Sequence, residues 1–232
     1  PFELTPHQNA ALTEIDAELL GTRPMRRLLQ GDVGSGKTVV ALYALLRAVE
    51  NGRQGALMAP TETLAEQHFL TIEPYCAQLG VRCVLLTGSS GSKRVRDEIA
   101  SGVAQIAVGT HALIQRDVEF ADLAVAVVDE QHRFGVEQRK ALAEGRSPHV
   151  LHMTATPIPR TLALTIYGDL AVSEIAKPPA SRKPIITSRV GAERSSDVYA
   201  RLRKHLDAGR QAYVVCPLIE QSETRLARAA EE

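Results

Sequence analysis

The sequence predicts an α/β protein with a parallel sheet that helices cover on both faces. Short apolar segments alternate with longer helical segments over most of the chain, which is typical of β-α repetition. Residues 123–128 are all Val, Ala or Leu, as in a strand that is buried on both faces. A glycine-rich loop, residues 31–38, lies between a predicted strand and a predicted helix. Together these observations favour a nucleotide-binding α/β sheet.

The strands follow from short apolar runs bounded by turn residues. We predict strands over residues 26–30, 56–59, 81–87, 104–108, 123–128 and 150–153. The helices follow from longer amphipathic runs with capping residues. Thr5 caps a helix over residues 6–20, in which Pro6 occupies the tolerated first position. Further helices are predicted over residues 39–49, 61–79, 92–100, 134–144 and 157–167, with a short one starting at Thr110.

A change of composition divides the chain. Residues 177–184 are rich in proline and basic side chains, which indicates a linker between a first domain over 1–176 and a segment over 185–232. That segment carries predicted strands at 185–190 and 212–216 around a helix at 195–206. We therefore expect the incomplete start of a second α/β unit, because the segment is too short for a domain of typical size.

Composition indicates a packed globular protein. The hydrophobic fraction is 44%, and no apolar run predicts a membrane span or a secretion signal. The chain has 27 Lys and Arg against 27 Asp and Glu, so any basic surface for nucleic acid must be local. The spacing of Cys76, Cys83 and Cys216 shows no zinc motif, which favours reduced thiols in a cytosolic protein.

Residues 31–38 fit the phosphate-loop pattern G-x-x-x-x-G-K-[ST] at every fixed position. The glycines allow left-handed backbone and bring N–H groups close to an anion, while the lysine reaches the β- and γ-phosphates and the threonine binds Mg²⁺. The alternative is a glycine-rich turn with a solvated lysine. The predicted nucleotide-binding residues are Gly31, Asp32, Val33, Gly34, Ser35, Gly36, Lys37 and Thr38.

An acidic pair, Asp129 and Glu130, directly follows the most apolar strand. The carboxyl ends of parallel strands are where α/β sheets place ligands. Asp129 can hold Mg²⁺ through water, and Glu130 can polarise the water that attacks the γ-phosphate. An Asp-Glu pair alone is also common at exposed helix starts, so this prediction depends on the phosphate loop upstream. Lys37, Asp129 and Glu130 are the predicted catalytic residues.

Several blocks resemble, in the same order, the motifs of the RecG family of DNA helicases. Residues 129–136 are similar to motif II, and residues 153–161 are similar to motif III with its extension. Residues 59–62 and 64–68 resemble motif Ia. The remaining similar blocks are residues 87–89, 109–113, 167–170, 178–184 and 213–220. The likeness covers essentially the whole chain, and the transcription-repair coupling translocases are the alternative family because they share residues 132–136 and 154–156.

The resemblance implies a RecA-like motor lobe that uses ATP and Mg²⁺ to translocate on branched DNA in repair and recombination. A nucleotide-binding module that does not hydrolyse ATP is the alternative from another class. The expected partner is branched or single-stranded DNA, bound without sequence preference by a cytoplasmic, nucleoid-associated bacterial monomer. The arginine that reaches the γ-phosphate in this family belongs to blocks beyond Glu232, and the family's wedge domain would precede Pro1. We therefore expect this chain to bind nucleotide with little turnover.

The resemblance also implies roles for individual residues. Gln8 would read the adenine edge, with a surface polar residue as the alternative. Phe2 would stack on the base, with a contact in the core as the alternative. DNA-backbone contacts are implied for Pro60, Thr61, Thr87, Gly88, Thr110 and His111. Helix capping is an alternative role for Thr61 and Thr110, and the two roles are compatible. Coupling between nucleotide and DNA is implied for His132, Thr154 and Thr156, whose threonine hydroxyls could instead only satisfy a strand end.

Overall fold

The computed structural model describes residues 3–88, 92–115, 117–129, 148–156, 170–176 and 185–215. The chain forms two compact units, residues 1–182 and 183–232. Several predictions lie outside the described residues: the helices over 134–144 and 157–167, the linker over 177–184, and the roles of Phe2, Glu130 and His132.

The first unit contains a seven-stranded sheet in which every neighbouring pair of strands is parallel. The strand order is β3-β4-β2-β5-β6-β1-β7. The predicted parallel α/β sheet is therefore confirmed. The strands are β1 (Arg26–Gly31), β2 (Gln54–Met58), β3 (Cys83–Leu86), β4 (Ile106–Gly109), β5 (Leu123–Asp129), β6 (His149–Thr154) and β7 (Ala171–Ile175).

The described helices begin close to the predicted positions because their capping residues are local signals. Thr5 caps the first helix through a capping box with Gln8, and Thr61 and Ser92 cap the third and fourth helices. None of the described helices combines the length and the apolar character that crossing a membrane requires. The helices are α1 (Pro6–Leu19), α2 (Lys37–Glu50), α3 (Glu62–Gln78), α4 (Lys93–Ala100), a 3₁₀ helix (His111–Ile114) and α5 (Ser195–Asp207).

Two large apolar clusters, one on each face of the sheet, form most of the core of the first unit, and Leu28 with Leu170 forms a small third cluster. Helices α1, α2 and α3 contribute to one cluster, and α4 with the 3₁₀ helix contributes to the other. The alternation of side chains along a strand separates them: Val125 and Val127 of β5 join the first cluster, whereas Val128 joins the second. Burial on both faces explains why β5 is apolar at nearly every position.

Cys76 of α3 and Cys83 of β3 are free thiols in the first apolar cluster. A hydrogen bond with Cys76 and burial both raise the pKa of the Cys83 thiol. Cys83 therefore stays protonated at neutral pH and acts as a small apolar core residue.

Strand β7 is absent from the prediction. Its five residues, Ala171–Ile175, include Ser173 and the exposed Glu174, so they lack the apolar run that marked the other strands. The strand forms because its backbone pairs with β1 over Arg27–Gly31. That pairing is a long-range feature, and the local sequence carries no signal for it.

In the second unit, the strands predicted at 185–190 and 212–216 are wrong for every described residue of these ranges. Within residues 185–215 the structure contains only a short 3₁₀ turn and α5, so these segments have no strand to pair with there. Ile186 and Tyr213 are each 92% exposed, and no residue of α5 is buried. The apolar composition suggested strands, but strand formation needs a neighbouring backbone.

One pH effect on stability arises at the start of β6. The His149 Nδ1 atom accepts a hydrogen bond from the Met25 N–H at 2.9 Å. Burial and, to a smaller extent, the positive charge of Arg53 lower the pKa of His149 from its ordinary 6.5, against a weaker opposing effect of Glu18. The folded state therefore disfavours protonation, so this contribution to stability is present above pH 6.5 and is lost as the pH falls through the lower folded-state pKa.

We expect His149→Asn to reduce this pH dependence, because the asparagine side chain can accept the same hydrogen bond without titrating. Melting temperatures measured between about pH 7.5 and about pH 5.5 should fall further for the wild-type chain than for the variant. Equal falls for the two proteins would contradict the assignment to His149.

Candidate nucleotide site

The predicted phosphate loop and the predicted metal-binding carboxylate lie at the same edge of the sheet. Gly31 is the last residue of β1, and Asp129 is the last residue of β5. Only β6 separates these two strands, and all three run parallel. Both groups consequently emerge at the carboxyl edge, where α/β sheets bind ligands.

The loop conformation depends on its glycines. Gly34 and Gly36 have φ angles of 75° and 89°, in the left-handed region that disfavours side chains. A Cβ atom at Gly36 would also lie 2.2 Å from the Gln8 Nε2 atom. A side chain at this position would therefore strain the backbone and displace the Gln8 amide from the loop.

Helix α2 begins at Lys37, directly after the loop, with Gly36 as an N-cap that makes no side-chain hydrogen bond. The helix dipole and the backbone N–H groups at its first turn create positive potential at the loop. Lys37 Nζ donates to the Gly31 and Asp32 carbonyl oxygens, at 2.8 and 3.2 Å. The Ser35 hydroxyl is fully buried within the loop and has no hydrogen-bond partner in the described part of the chain. These features fit a triphosphate, since each supplies positive charge or donors to an anion.

Gln8 joins α1 to the loop. Its Oε1 atom accepts from the Thr5 N–H at 2.9 Å, and its Nε2 donates to the Ser35 carbonyl oxygen at 2.9 Å. Gln8 is only 5% exposed, so the alternative of a surface polar residue is wrong. The adenine contact stays a prediction, and the structure adds that Gln8 orients the backbone of the phosphate loop.

Asp129 is 8% exposed and is held by a residue from another element. The His68 Nε2 atom of α3 lies 2.7 Å from Asp129 Oδ2, a distance at which the ring N–H donates to the carboxylate. No local sequence pattern predicts this contact, because the two residues are 61 positions apart and belong to different elements. Within the described ranges, His, Cys, Asp and Glu form no group of three that could hold a metal ion by themselves.

Thr154 and Thr156 lie at the end of β6, the strand between β1, which leads into the phosphate loop, and β5, which ends at Asp129. Thr154 pairs in register with Gln30 of β1 and is 2% exposed. The two hydroxyl oxygens are 2.9 Å apart, and the Thr156 N–H donates to Thr154 Oγ1 at 3.2 Å. The hydroxyls thus stabilise the strand end, as the structural alternative predicted, and their coupling role stays a prediction.

A pocket of about 210 Å³ adjoins the loop on the side of strand β7. Gly31 and Asp32 of the loop, Ala155 after β6 and Glu174 of β7 contribute to its wall. The missed strand β7 therefore borders the phosphate loop. Only the pairing of β7 with β1 brings Glu174 here, which is why the sequence carried no indication of it.

The residues predicted to contact DNA also follow strand ends at the carboxyl edge. Pro60 and Thr61 come after β2, Thr87 and Gly88 after β3, and Thr110 and His111 after β4. In the strand order these three strands are neighbours, and β5, β6 and β1 follow them. The edge is therefore divided into two adjacent halves, one with the predicted DNA residues and one with the predicted nucleotide residues.

The burial of these residues limits which atoms can reach a DNA backbone. Thr87 and Thr110 are only 1% and 3% exposed, whereas Thr61, Gly88 and His111 are exposed. Thr61 Oγ1 and Thr110 Oγ1 accept from the Leu64 and Ala112 N–H groups, at 3.3 and 3.4 Å, as helix caps do. Contacts at the Thr87 and Thr110 turns would thus use backbone N–H groups and the exposed neighbours.

A phosphate loop after β1 of a parallel, RecA-like sheet, with an acidic residue at the end of β5, defines the class of P-loop NTPases. The sequence profile of the DEAD/DEAH box helicases matches residues 5–165, and the chain belongs to this family. Its similarity to "ATP-dependent DNA helicase RecG" extends over the whole chain, so the predicted resemblance to RecG is confirmed. The RecG of Synechocystis sp. is 50% identical over 100% of this chain, and that of Bacillus subtilis is 52% identical over 96%.

The chain spans about a third of the length of these relatives, with 28% of the Synechocystis protein and 33% of the Bacillus protein covered. Among solved structures, RecG bound to a three-way DNA junction matches with a TM-score of 0.82 and 41% identity, over 94% of this chain and 30% of that one. The helicase MrfA matches with a TM-score of 0.68 at 17% identity, over 97% of this chain and 37% of that one, which supports the fold alone.

Proposed function

We propose that this chain is the ATP-binding motor lobe of a DNA helicase of the RecG type, which acts on branched DNA in repair and recombination. One observation carries the proposal: the phosphate loop and Asp129 meet at one edge of the sheet, beside the turns predicted to contact DNA. The similarity to RecG, including a relative whose structure contains a three-way DNA junction, supports the substrate class.

In this proposal the chain's own groups bind and orient the nucleotide. The N–H groups of the loop and the first turn of α2 bind the β- and γ-phosphates, and Lys37 exchanges its carbonyl partners for phosphate oxygens. Thr38 and Asp129 would hold Mg²⁺, which neutralises phosphate charge when bound and typically takes one or two carboxylates plus phosphate oxygens. Glu130, outside the described residues, would orient the attacking water.

The DNA half of the site would bind phosphates without reading bases. The start of α3 and the 3₁₀ helix present backbone N–H groups next to the exposed Thr61 and His111. Contacts of this kind carry little sequence information, which agrees with an enzyme that acts on DNA shape. Binding to DNA should therefore weaken strongly as salt increases.

We further propose that residues 1–176 form the first motor lobe and that residues 185–232 belong to the second. The predicted monomeric state belongs to the same proposal. So does a cytoplasmic, nucleoid-associated location, because the proposed substrate is chromosomal DNA. The bacterial sources of the RecG relatives support that location.

Calorimetric titration of the 232-residue chain with a non-hydrolysable ATP analogue tests the proposal. We expect Mg²⁺-dependent binding whose affinity changes when a forked duplex or single-stranded DNA is added. A separate phosphate-release assay with ATP should show little turnover. A chain that does not bind the analogue would contradict the nucleotide site. Binding that is indifferent to DNA would favour a simple nucleotide-binding module, and rapid DNA-stimulated hydrolysis would contradict the expectation of low turnover.

A further inference from the structure

We infer that His68 is a positioning residue, which holds the Asp129 carboxylate from α3 and so links DNA contact at the start of that helix to metal binding. The inference rests on the proposed function. Its structural basis is the hydrogen bond between His68 Nε2 and Asp129 Oδ2, at 2.7 Å. This contact connects the helix that begins with the predicted DNA turn to the predicted metal-binding carboxylate.

The surroundings make this hydrogen bond effective. Each of the two side chains is only 12% exposed, so water competes weakly for their hydrogen-bonding groups. An aspartate at a strand end can rotate about two side-chain torsions, and a partner on a neighbouring helix selects one orientation. The carboxylate is thereby pre-oriented before any metal binds. Loss of the imidazole would leave the buried carboxylate less restrained. Metal binding would then have to fix its orientation, which would lower the affinity for metal.

Helix α3 provides the mechanical connection to the DNA half of the site. Its N-cap, Thr61, is exposed at the sheet edge, and His68 follows seven residues later, roughly 10 Å along the helix axis. Beyond His68, the buried Ile72 and Cys76 anchor the same helix in the core. Between Thr61 and His68 the helix is uninterrupted, so a small displacement of its first turn by a bound phosphate would reach the imidazole ring while the later turns stay anchored.

Such a connection acts in both directions. If DNA at the start of α3 changes the affinity of the site for metal, then bound metal changes the affinity for DNA by the same factor. This linkage requires a contact that changes when either ligand binds. The hydrogen bond from His68 to Asp129 is such a contact, because Asp129 is the predicted metal-binding carboxylate and the helix of His68 begins at the predicted DNA turn. The hydrogen bond between His68 and Asp129 can therefore couple DNA binding to metal binding without any change in the sheet.

The test uses Mn²⁺ as a paramagnetic substitute for Mg²⁺ and measures its binding by electron paramagnetic resonance, with a non-hydrolysable ATP analogue present. His68→Ala should weaken Mn²⁺ binding about tenfold, whereas His68→Gln, which can still donate a hydrogen bond, should lose less than about threefold. Adding single-stranded oligothymidylate should shift the Mn²⁺ affinity of the wild-type chain, and this shift should disappear in His68→Ala. Leu70→Gln is the matched control, because Leu70 lies on the same helix and is 72% exposed.

A double-mutant cycle with Asp129→Asn separates positioning from a general effect on the fold. His68→Ala should have little further effect on Mn²⁺ affinity in the Asp129→Asn background, since its partner is already altered. Additive effects, or a wild-type Mn²⁺ affinity in a folded His68→Ala chain, would overturn the inference while leaving the proposed function intact. Failure of the wild-type chain to bind Mn²⁺ with the analogue would instead overturn the proposed function.

Discussion

Replacing Lys37 by alanine is expected to weaken ATP binding by about 100-fold. The ammonium group donates to two loop carbonyl oxygens within 3.2 Å, so it lies beside the loop that would bind the phosphates. Two charge-assisted hydrogen bonds to phosphate contribute about 3 kcal/mol together, and each factor of ten in affinity corresponds to about 1.4 kcal/mol. Calorimetry with a non-hydrolysable ATP analogue and Mg²⁺ would measure the loss.

The same substitution at a lysine of the second unit provides the control. Lys204→Ala removes an exposed lysine from α5 and should leave ATP affinity unchanged. Melting temperatures should show that Lys37→Ala remains folded, because the lysine is on the surface of the loop and its loss opens no core cavity. A folded Lys37→Ala chain with wild-type affinity would mean that the loop does not bind the triphosphate.

The elements that can be predicted correctly from the sequence are those with local signals. Thr5 and Ser92 occupy helix caps that can be recognised from a few residues, and β5 is apolar because it is buried on both faces. Strand β7, which the prediction lacks, and the strands that were predicted but do not form within residues 185–215 show the limit. In both cases the outcome depends on whether another strand is available for pairing, and no short window of sequence contains that information.

The same distinction holds within the site. The phosphate loop is contiguous, so its residue types can be matched directly to a triphosphate. The contact between His68 and Asp129 joins residues 61 positions apart, and Glu174 reaches the loop only through the pairing of β7 with β1. Such contacts become visible only once the topology is known, although His68 itself lies within the block that resembles motif Ia.

A second large effect concerns stability and involves a buried arginine that the sequence did not single out. Arg27 of β1 has a side chain that is only 9% exposed. Its Nη1 donates to Glu14 Oε2 at 2.7 Å and to Ser173 Oγ at 2.6 Å, and its Nη2 donates to Glu18 Oε1 at 2.6 Å. These bonds connect α1, which carries Gln8, to the strand that leads into the phosphate loop and to β7.

Replacing Glu14 and Glu18 together by glutamine should lower the free energy of unfolding by about 3 kcal/mol. The substitution leaves the guanidinium charge buried with neutral partners only, and breaking a buried pair typically costs about 3–5 kcal/mol. We expect the lower end of this range, because the side chains of Glu14 and Glu18 are 49% and 31% exposed and water screens part of the interaction. Urea unfolding followed by circular dichroism would measure the change.

Two further variants separate the buried charge from a general loss of surface carboxylates. Glu50→Gln removes a carboxylate that is 61% exposed and is paired with Arg47, and it should change the free energy of unfolding much less than the double substitution does. Adding Arg27→Met to the Glu14→Gln, Glu18→Gln chain should restore much of the lost stability, because an apolar side chain of similar length needs no charged partner. If the methionine variant were less stable still, the cost would come from lost packing between α1 and β1 rather than from an unpaired buried charge.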